Sequence, residues 1–210
     1  MANWLNLTFY NFDKAVFCAM HNLAKNAGGF FTPFAKVLSV FGEGGLFFIA
    51  LAIALMLFKS TRRVGFTVLL AVGVGALFTN VIIKNAVARP RPFTQEEYKP
   101  FWEFVSAKRQ SEFSFPSGHV TVTTTSMVAI GFSCKKKLGW LCLIAVPLMA
   151  FSRVYLIVHY TTDVLGGVII GGLAGTIAHL ISRYIFKVIE NHPENKFCKF
   201  VLNASLIKKK

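Results

Sequence analysis

Long apolar blocks, separated by short polar or basic connections, dominate the hydrophobic pattern of the chain. A helix that crosses a bilayer needs about 20 predominantly apolar residues. Five blocks approach that length, at residues 39–58, 64–83, 116–134, 138–152 with its continuation, and 164–185. The pattern therefore predicts an all-α fold, a polytopic bundle of transmembrane helices.

The first 38 residues show a different pattern. Polar residues such as Asp13, Lys14 and His21 interrupt apolar positions that recur at three- and four-residue steps. This periodicity favours an amphipathic helix in the membrane interface over a further span, so we expect five to six transmembrane helices in total. The predicted organisation is an interfacial segment at 1–38, a membrane core at 39–186 and a basic tail at 187–210.

The chain carries 23 Lys and Arg against 9 Asp and Glu, a formal net charge of +14. The cations are concentrated in connections at 59–63 and 135–137 and at the end, 208–210, rather than along a soluble face. Such basic connections indicate the cytoplasmic side of a membrane, and the lack of a basic stripe argues against nucleic acid as a partner. We therefore predict an integral membrane protein, with these basic connections in the cytoplasm and the connection at 84–115 on the extracytoplasmic face.

Gly167, Gly171 and Gly175 recur every four residues in the last apolar block. They put small residues on one helix face, which lets two helices approach closely, and packing within the chain is favoured over a dimer interface. We expect a monomer or a weak homodimer. The four cysteines show no C-x-x-C spacing, so they predict neither a disulfide nor a metal site.

Ionisable residues at the edge of a bilayer are costly, so a cluster of them at one depth points to function. His159 and Asp163 would share one helix face, where the carboxylate can hold the imidazole in one tautomer and raise its basicity. In isolation, such a pair is more often a helix-surface ion pair. The predicted outer ends of the spans, however, collect two imidazoles, one carboxylate and four cations: Lys84, Arg89, Arg91, His119, Arg153, His159 and Asp163.

Lys84 ends one apolar block and precedes Arg91 by seven residues. Prolines at 90 and 92 stop the helix, because a proline lacks an amide donor and restricts the residue before it. The resulting turn would fix Arg91 near the membrane surface, where its guanidinium can hold two phosphate oxygens while Lys84 supplies a point charge. For Arg89, snorkelling toward the headgroups is the favoured interpretation.

The tetrapeptide Pro116-Ser117-Gly118-His119 opens the third apolar block. Backbone amides at a helix N-terminus bind anions, Ser117 adds a hydroxyl donor and Gly118 permits close approach. His119 would then stand beside a bound phosphate. Taken alone, the tetrapeptide could also be an N-cap serine followed by an incidental histidine.

These residues match three ordered motifs, and through them the chain resembles the type 2 phosphatidic acid phosphatase superfamily, which also contains the vanadium haloperoxidases. The first motif, Lys-x6-Arg-Pro, is found at residues 84–92; the second, Pro-Ser-Gly-His, at 116–119; and the third, Ser-Arg-x5-His-x3-Asp, at 152–163. The resemblance covers roughly residues 44–185, and no motif residue is missing. Three spaced motifs in order are far more specific than any one of them.

The resemblance implies a lipid phosphatase that uses neither a metal nor a cofactor. In such an enzyme His159 would attack phosphorus to form a phosphohistidine, and Asp163 would orient it. His119 would protonate the departing oxygen and later activate water. The remaining motif residues would hold the equatorial phosphate oxygens, where transition-state charge is spread: Lys84, Arg91, Ser117, Gly118 and Arg153.

Three functions remain open from the sequence. A lipid phosphatase is favoured, with undecaprenyl pyrophosphate slightly ahead of phosphatidylglycerophosphate and phosphatidate, because a compact multispan chain with no soluble domain is similar to the polyprenyl subgroup. A vanadate-dependent haloperoxidase fits less well, since those family members are soluble and much larger. A non-catalytic protein that binds or transports an anionic lipid would be expected to lack His159 or Asp163, and both are present.

Overall fold

The computed structural model of the protein describes residues 1–134 and 137–203. This part of the chain contains helices and no β-strand, which confirms the all-α prediction for it. The α-helices are α1 (Ala2–Thr8), α2 (Tyr10–Gly42), α3 (Leu46–Met56), α4 (Arg62–Ala76), α5 (Lys84–Val87), α6 (Lys99–Val105), α7 (Gly118–Ser133), α8 (Ala145–Tyr155), α9 (Thr161–Glu190) and α10 (Lys196–Asn203). The predicted basic positions Lys135, Lys136 and 208–210 lie outside the described residues.

Three helical stretches of the described chain are long and apolar enough to cross a membrane: Tyr10–Met56, Arg62–Thr94 and Thr161–Glu190. The second joins α4 to α5 through a π-helical segment at Leu77–Ile83. A shorter apolar helical stretch covers Gly139–Tyr155. These lengths support a membrane protein, whereas the number of spans stays a prediction of five to six.

The first predicted span, residues 39–58, is not one helix. Helix α2 continues to Gly42, and α3 begins only after a 3-10 turn that contains Gly44 and Gly45. These two glycines have φ values of 59° and 71°. A residue with a Cβ rarely adopts this left-handed conformation, so the two glycines permit the break inside an apolar run. Hydrophobicity alone did not reveal it.

The predicted boundary after residue 38 falls inside α2, in the part that follows a kink at Ala27, so the end of the N-terminal segment and the start of the core share one helical stretch. Helix α2 packs against α8 through polar contacts as well as apolar ones. Ser152 Oγ donates a hydrogen bond to the carbonyl of Ala35 at 2.7 Å, and the hydroxyls of Thr32 and Tyr155 lie 2.8 Å apart. This packing lays the N-terminal helix against the segment that leads into α9.

Helices α7 and α9 form the centre of the bundle, and their close approach depends on the small residues of α9. A Cβ added at Gly171 or Gly175 would lie 2.8 Å from a backbone carbonyl of α7, and one at Gly167 would lie 2.9 Å from the carbonyl of Ser117, just before α7. Real Cβ atoms are not found so close to a carbonyl oxygen. The small-residue face therefore packs within the chain, as the sequence favoured.

Candidate active site

A cavity of about 280 Å³ lies where the first residues of α5 and α7 meet the segment that precedes α9. Five of the eight predicted site residues line this cavity: Lys84, Arg91, Gly118, His119 and His159. The other three, Ser117, Arg153 and Asp163, do not line it and are almost completely buried. The structure thus brings residues of all three motifs to one place.

Arg91 is held in an extended turn after α5. Ala88 ends α5 in a left-handed conformation, and the backbone of Arg91 is extended. The guanidinium donates from Nε to the carbonyl of Glu112 at 2.8 Å and from Nη1 to the carbonyl of Val158 at 2.9 Å. Nη1 also lies 2.9 Å from Nε2 of His159. Two backbone carbonyls therefore fix the guanidinium against the imidazole.

His159 and Asp163 do not share one helix, so this part of the sequence prediction was wrong. Helix α9 begins at Thr161, and His159 precedes it. The helix starts there because Oδ2 of Asp163 accepts a hydrogen bond from the amide of Tyr160 at 2.9 Å, which caps the first turn. The same Oδ2 lies 3.5 Å from Nδ1 of His159. The two side chains are neighbours through this cap rather than through helical spacing.

The two oxygens of the buried Asp163 carboxylate have different partners. Oδ1 accepts a hydrogen bond from Nη1 of Arg89 at 2.6 Å, and Oδ2 accepts one from Oγ of Ser114 at 2.5 Å. The interpretation of Arg89 as a snorkelling residue was therefore wrong. Its side chain is 1% exposed and forms ion pairs with both Asp13 and Asp163. Because both of its carboxylate partners are buried, the guanidinium lies inside the protein rather than among the lipid headgroups.

The N-terminus of α7 presents Gly118 and His119 to the cavity. Ser117 is the N-cap residue, and its amide donates to the backbone carbonyl of Asp163 at 3.0 Å. Within the described chain, the Ser117 hydroxyl and Nε2 of His119 are buried without a hydrogen-bond partner. A Cβ added at Gly118 would lie 3.7 Å from Nζ of Lys84. Unpartnered polar atoms close to an ammonium are suited to an anionic ligand.

Arg153 lies near the end of α8 and is also buried. Its Nη1 donates to the hydroxyl of Ser39 on α2, whereas its Nε has no hydrogen-bond partner among the residues that the structure describes. Its charge acts on both His119 and His159. A buried guanidinium with an unused donor beside two imidazoles can bind an anionic oxygen.

The break after α2 forms another part of the cavity wall, which the sequence analysis missed. Gly42, Gly44 and Gly45 line the cavity. A Cβ added at Gly42 would lie 2.8 Å from Cδ2 of His119 and 2.9 Å from Cε of Met149. The absence of a side chain at this position therefore leaves room for the His119 ring.

Glu112 also lines the cavity, and the sequence analysis did not identify it as a site residue. Its exposed carboxylate forms an ion pair with the buried ammonium of Lys84. The hydrogen bond from Lys84 lowers the pKa of the Glu112 carboxyl. The two residues are 28 positions apart, so no local spacing distinguished Glu112 from the other acids of the same connection.

Burial dominates the protonation of His159. It lowers the pKa of this imidazole well below the usual value, and the nearby charges of Arg91, Arg153 and Lys84 act in the same direction. The ring is therefore neutral at pH 7, which leaves a nitrogen lone pair available for attack on an electrophile. Within the described residues, no group of three or more His, Cys, Asp or Glu side chains is arranged to hold a metal ion.

Sequence comparison identifies relatives with phosphatase names. An undecaprenyl-diphosphatase from Sulfolobus acidocaldarius is 29% identical over 117 residues, which are 56% of this chain and 54% of the relative. A decaprenylphosphoryl-5-phosphoribose phosphatase from Mycolicibacterium smegmatis is 36% identical over 158 residues, which are 74% of this chain and 81% of the relative. The chain therefore spans about half the length of the first relative and most of the second.

The fold is similar to that of the crystal structure described as the first transmembrane PAP2 type phosphatidylglycerolphosphate phosphatase from Bacillus subtilis. The TM-score is 0.59, and the match covers 87% of this chain and 98% of that chain. Since the two sequences are 22% identical, this likeness concerns the fold alone. The sequence profile of the PAP2 superfamily matches residues 62–187, which include all three motifs. On this match, and on the 36% identity to the Mycolicibacterium relative, the chain belongs to the PAP2 superfamily.

Proposed function

We propose that the protein is an integral membrane phosphatase that hydrolyses a lipid phosphomonoester or pyrophosphate through a phosphohistidine on His159, without a metal or a cofactor. One observation carries the proposal: Lys84, Arg91, His119 and His159 line a single cavity, and the Asp163 carboxylate lies 3.5 Å from the far nitrogen of His159. A nucleophile, an orienting carboxylate, a second imidazole and cations for phosphate oxygens are the parts that metal-free phosphoryl transfer requires.

In the first step, Nε2 of His159 forms a bond to phosphorus as the bond to the leaving oxygen breaks. Arg91 Nη1 lies 2.9 Å from this nitrogen and donates a hydrogen bond to its lone pair in the free site. When that lone pair forms the bond to phosphorus, Nη1 can donate to a phosphate oxygen instead. Asp163 stabilises the positive charge that develops at Nδ1. His119 enters this step as the imidazolium and gives its proton to the leaving oxygen, which departs as a lipid alcohol or, from a pyrophosphate, as a lipid monophosphate.

In the second step, His119 takes a proton from water as the water oxygen attacks phosphorus. The bond between phosphorus and Nε2 of His159 breaks, inorganic phosphate leaves and the neutral imidazole is restored. In both steps, charge on the equatorial oxygens is stabilised by Lys84, Arg91, Ser117, Gly118 and Arg153. In this scheme, protein cations supply the charge compensation that a bound metal gives other phosphatases.

Within the lipid phosphates, we favour a polyprenyl pyrophosphate. The names of the Sulfolobus and Mycolicibacterium relatives both contain a polyprenyl group, and the Sulfolobus name also contains a diphosphate. A cavity of about 280 Å³ has room for a phosphate headgroup and not for a polyprenyl chain, so the tail would stay in the bilayer. The proposed setting is the bacterial cytoplasmic membrane with the cavity on the extracytoplasmic face, and the proposed active form is a monomer or a weak homodimer.

Phosphate release from a panel of lipid phosphates tests this function. The purified protein in detergent is incubated with a polyprenyl pyrophosphate, phosphatidylglycerophosphate or phosphatidate, with and without excess EDTA. We expect turnover in every arm that contains EDTA and the highest rate with the pyrophosphate. The variant His159→Gln should be inactive, whereas His192→Gln, at an exposed histidine beyond α9, should match the wild type. No release from any lipid, or EDTA inhibition reversed by a divalent ion, would refute the proposal.

A further inference from the structure

We infer that Asp13 and Arg89 are positioning residues of the active site, which hold the Asp163 carboxylate in place against His159. The inference rests on the proposed function, because it requires His159 to be the nucleophile. It also makes helix α2 a part of the catalytic apparatus, although α2 lies outside residues 62–187 that the PAP2 profile matches. The cluster of Asp13, Arg89 and Asp163 is called the carboxylate clamp below.

Every nitrogen of the Arg89 guanidinium is engaged. Nη1 donates to Oδ1 of Asp163 at 2.6 Å and to Oγ1 of Thr162 at 2.7 Å. Nη2 donates to Oδ2 of Asp13 at 3.1 Å, and Nε donates to Oδ1 of Asn6 at 2.8 Å. Because the guanidinium is planar and rigid, its three acceptors other than Asp163 hold it in one orientation. Its Nη1 therefore offers a hydrogen bond to Oδ1 of Asp163 from a fixed place.

Asp13 fixes the other side of the clamp to the first turn of α9. Its Oδ1 accepts a hydrogen bond from the amide of Thr162 at 3.1 Å, and its Oδ2 accepts one from the Thr162 hydroxyl at 2.9 Å. Thr162 immediately precedes Asp163 in the chain. Asp13 thus holds both the guanidinium that binds Asp163 and the backbone turn that carries it. The Asp13 side chain is only 2% exposed, so water does not substitute for these contacts.

The charges of the clamp also favour a role in catalysis. Arg89 alone would neutralise Asp163 and leave no net charge beside the imidazole. Two carboxylates share one guanidinium, so the clamp carries one net negative charge when both of them are ionised. That charge stabilises the positive imidazole that forms when Nε2 of His159 bonds to phosphorus. A residue that only docked α2 on the bundle would have no such effect.

A matched comparison is available one residue along α2. Lys14 forms an exposed ion pair with Glu97 at 2.7 Å, which also links α2 to the connection between α5 and α7 but touches no residue of the clamp. Asp13→Asn and Lys14→Gln therefore each remove one ion pair between α2 and the rest of the protein. Only Asp13→Asn changes the carboxylate clamp. Both variants are prepared as the full chain in detergent, and their unfolding temperatures are recorded.

For Asp13→Asn we expect phosphohistidine formation and kcat to fall about 10- to 100-fold, with KM within about twofold of the wild type. Lys14→Gln should keep both constants within about twofold. Arg89→Lys keeps the charge but cannot reach all four acceptors, so it should lose kcat to a similar degree. Asn6→Ala removes only the acceptor of Nε and should lower kcat less, in the same direction. If the Asp13 variant does not fold, the kcat of Asn6→Ala is measured in its place.

A second measurement does not depend on turnover. In protein labelled with 15N-histidine, the resonances of His159 are assigned from their absence in His159→Gln. Asp13→Asn, or Asn6→Ala if the former does not fold, should shift the His159 ring resonances, and Lys14→Gln should not. Equal loss of kcat in the Asp13 and Lys14 variants, or unshifted His159 resonances in the clamp variant, would overturn the inference. If the proposed function is wrong, the wild-type protein will release no phosphate from any lipid. The His159 ring resonances would still show whether the clamp positions Asp163.

Discussion

The carboxylate of Glu112 forms an ion pair with the ammonium of Lys84, and both side chains line the cavity that also holds His119 and His159. Lys84 is one of the cations proposed to bind a phosphate oxygen of the substrate. A carboxylate on this ammonium has the same charge sign and similar oxygen geometry as the phosphate oxygen, so the two compete for it. Glu112 is exposed and Lys84 is buried, and the carboxylate is therefore the partner that can move away.

We predict that Glu112→Gln binds inorganic phosphate more tightly than the wild type does. Ion pairs between exposed groups contribute about 0.2–1 kcal/mol, and because the Glu112 side of this pair is exposed we expect the inhibition constant for phosphate to fall by up to about fivefold. Glu103→Gln, on α6 of the same connection and away from the cavity, is the control and should leave the constant unchanged. Weaker phosphate binding by the Glu112 variant would show that the carboxylate assists the ligand rather than competes with it.

The competition by Glu112 should also depend on pH in one direction. The hydrogen bond from Lys84 lowers the pKa of Glu112, so the carboxylate stays charged at and above the ordinary glutamate range of about 4.3 and is protonated only as the pH falls through the lowered value. The ratio of inhibition constants between wild type and Glu112→Gln should be constant from neutral pH to about pH 5 and approach one below the lowered pKa. A ratio that changes between pH 6 and 8 would contradict this assignment.

Gly171 and its neighbour Gly172 provide a test of the packing between α7 and α9. Alanine at Gly171 would place a Cβ 2.8 Å from the carbonyl of Thr121 and 2.7 Å from Cβ of Thr124, whereas nothing lies within 4 Å of a Cβ at Gly172. We expect Gly171→Ala to destabilise the fold by about 1–3 kcal/mol through overpacking. Gly172→Ala should be neutral or stabilise it by up to about 1 kcal/mol. Thermal unfolding in detergent measures both, and equal effects would contradict the close approach.

The sequence predicted the elements that local chemistry determines. Prolines around Arg91 specify an extended turn, and a small-residue face on α9 specifies close packing on α7; both are present. Each of these features depends on residues that are neighbours in the chain, so its signal is contained in one short window. The motif residues of the three windows then meet because the helices that carry them pack together.

The parts that the sequence did not predict involve partners far apart in the chain. Arg89 meets Asp13 across 76 positions, and no spacing rule connects a guanidinium in a turn with a carboxylate on the N-terminal helix. The break at Gly44 and Gly45 was hidden by its apolar surroundings. The helical placement of His159 was wrong because the periodicity rule takes no account of the cap that starts α9 at Thr161.

The distribution of basic connections predicts which sides of the membrane two exposed positions occupy. Ser60 lies in the basic connection between α3 and α4, and Glu96 lies between α5 and α6. Single cysteines are introduced at each position after the four native cysteines are replaced by serine. An impermeant thiol reagent applied to intact cells should label position 96 at once and position 60 only after lysis. The opposite pattern would reverse the proposed orientation of the active site.

The proposed roles of His159 and His119 differ in what they do for the leaving group, and this difference can be measured. His159→Ala removes the nucleophile and should abolish both turnover and the covalent phosphoprotein with every substrate. His119→Ala removes the proton donor and should mainly slow the departure of a poor leaving group. An aryl phosphate, whose departing oxygen barely needs a proton, and a lipid alkyl phosphate are therefore compared for each variant.

The His119 variant should recover a much larger share of the wild-type rate with the aryl phosphate than with the alkyl phosphate, because only the second reaction needs the missing proton in its transition state. The His159 variant should recover nothing with either. Asp163→Asn keeps the geometry but weakens the stabilisation of the charged imidazole, and in the serine protease triad the equivalent change lowers kcat by about 10⁴-fold, so an effect of that order is expected with both substrates. Phosphoprotein formed by the His159 variant, or an equal deficit of the His119 variant with both leaving groups, would show that the roles are assigned wrongly even though the fold and the family stand.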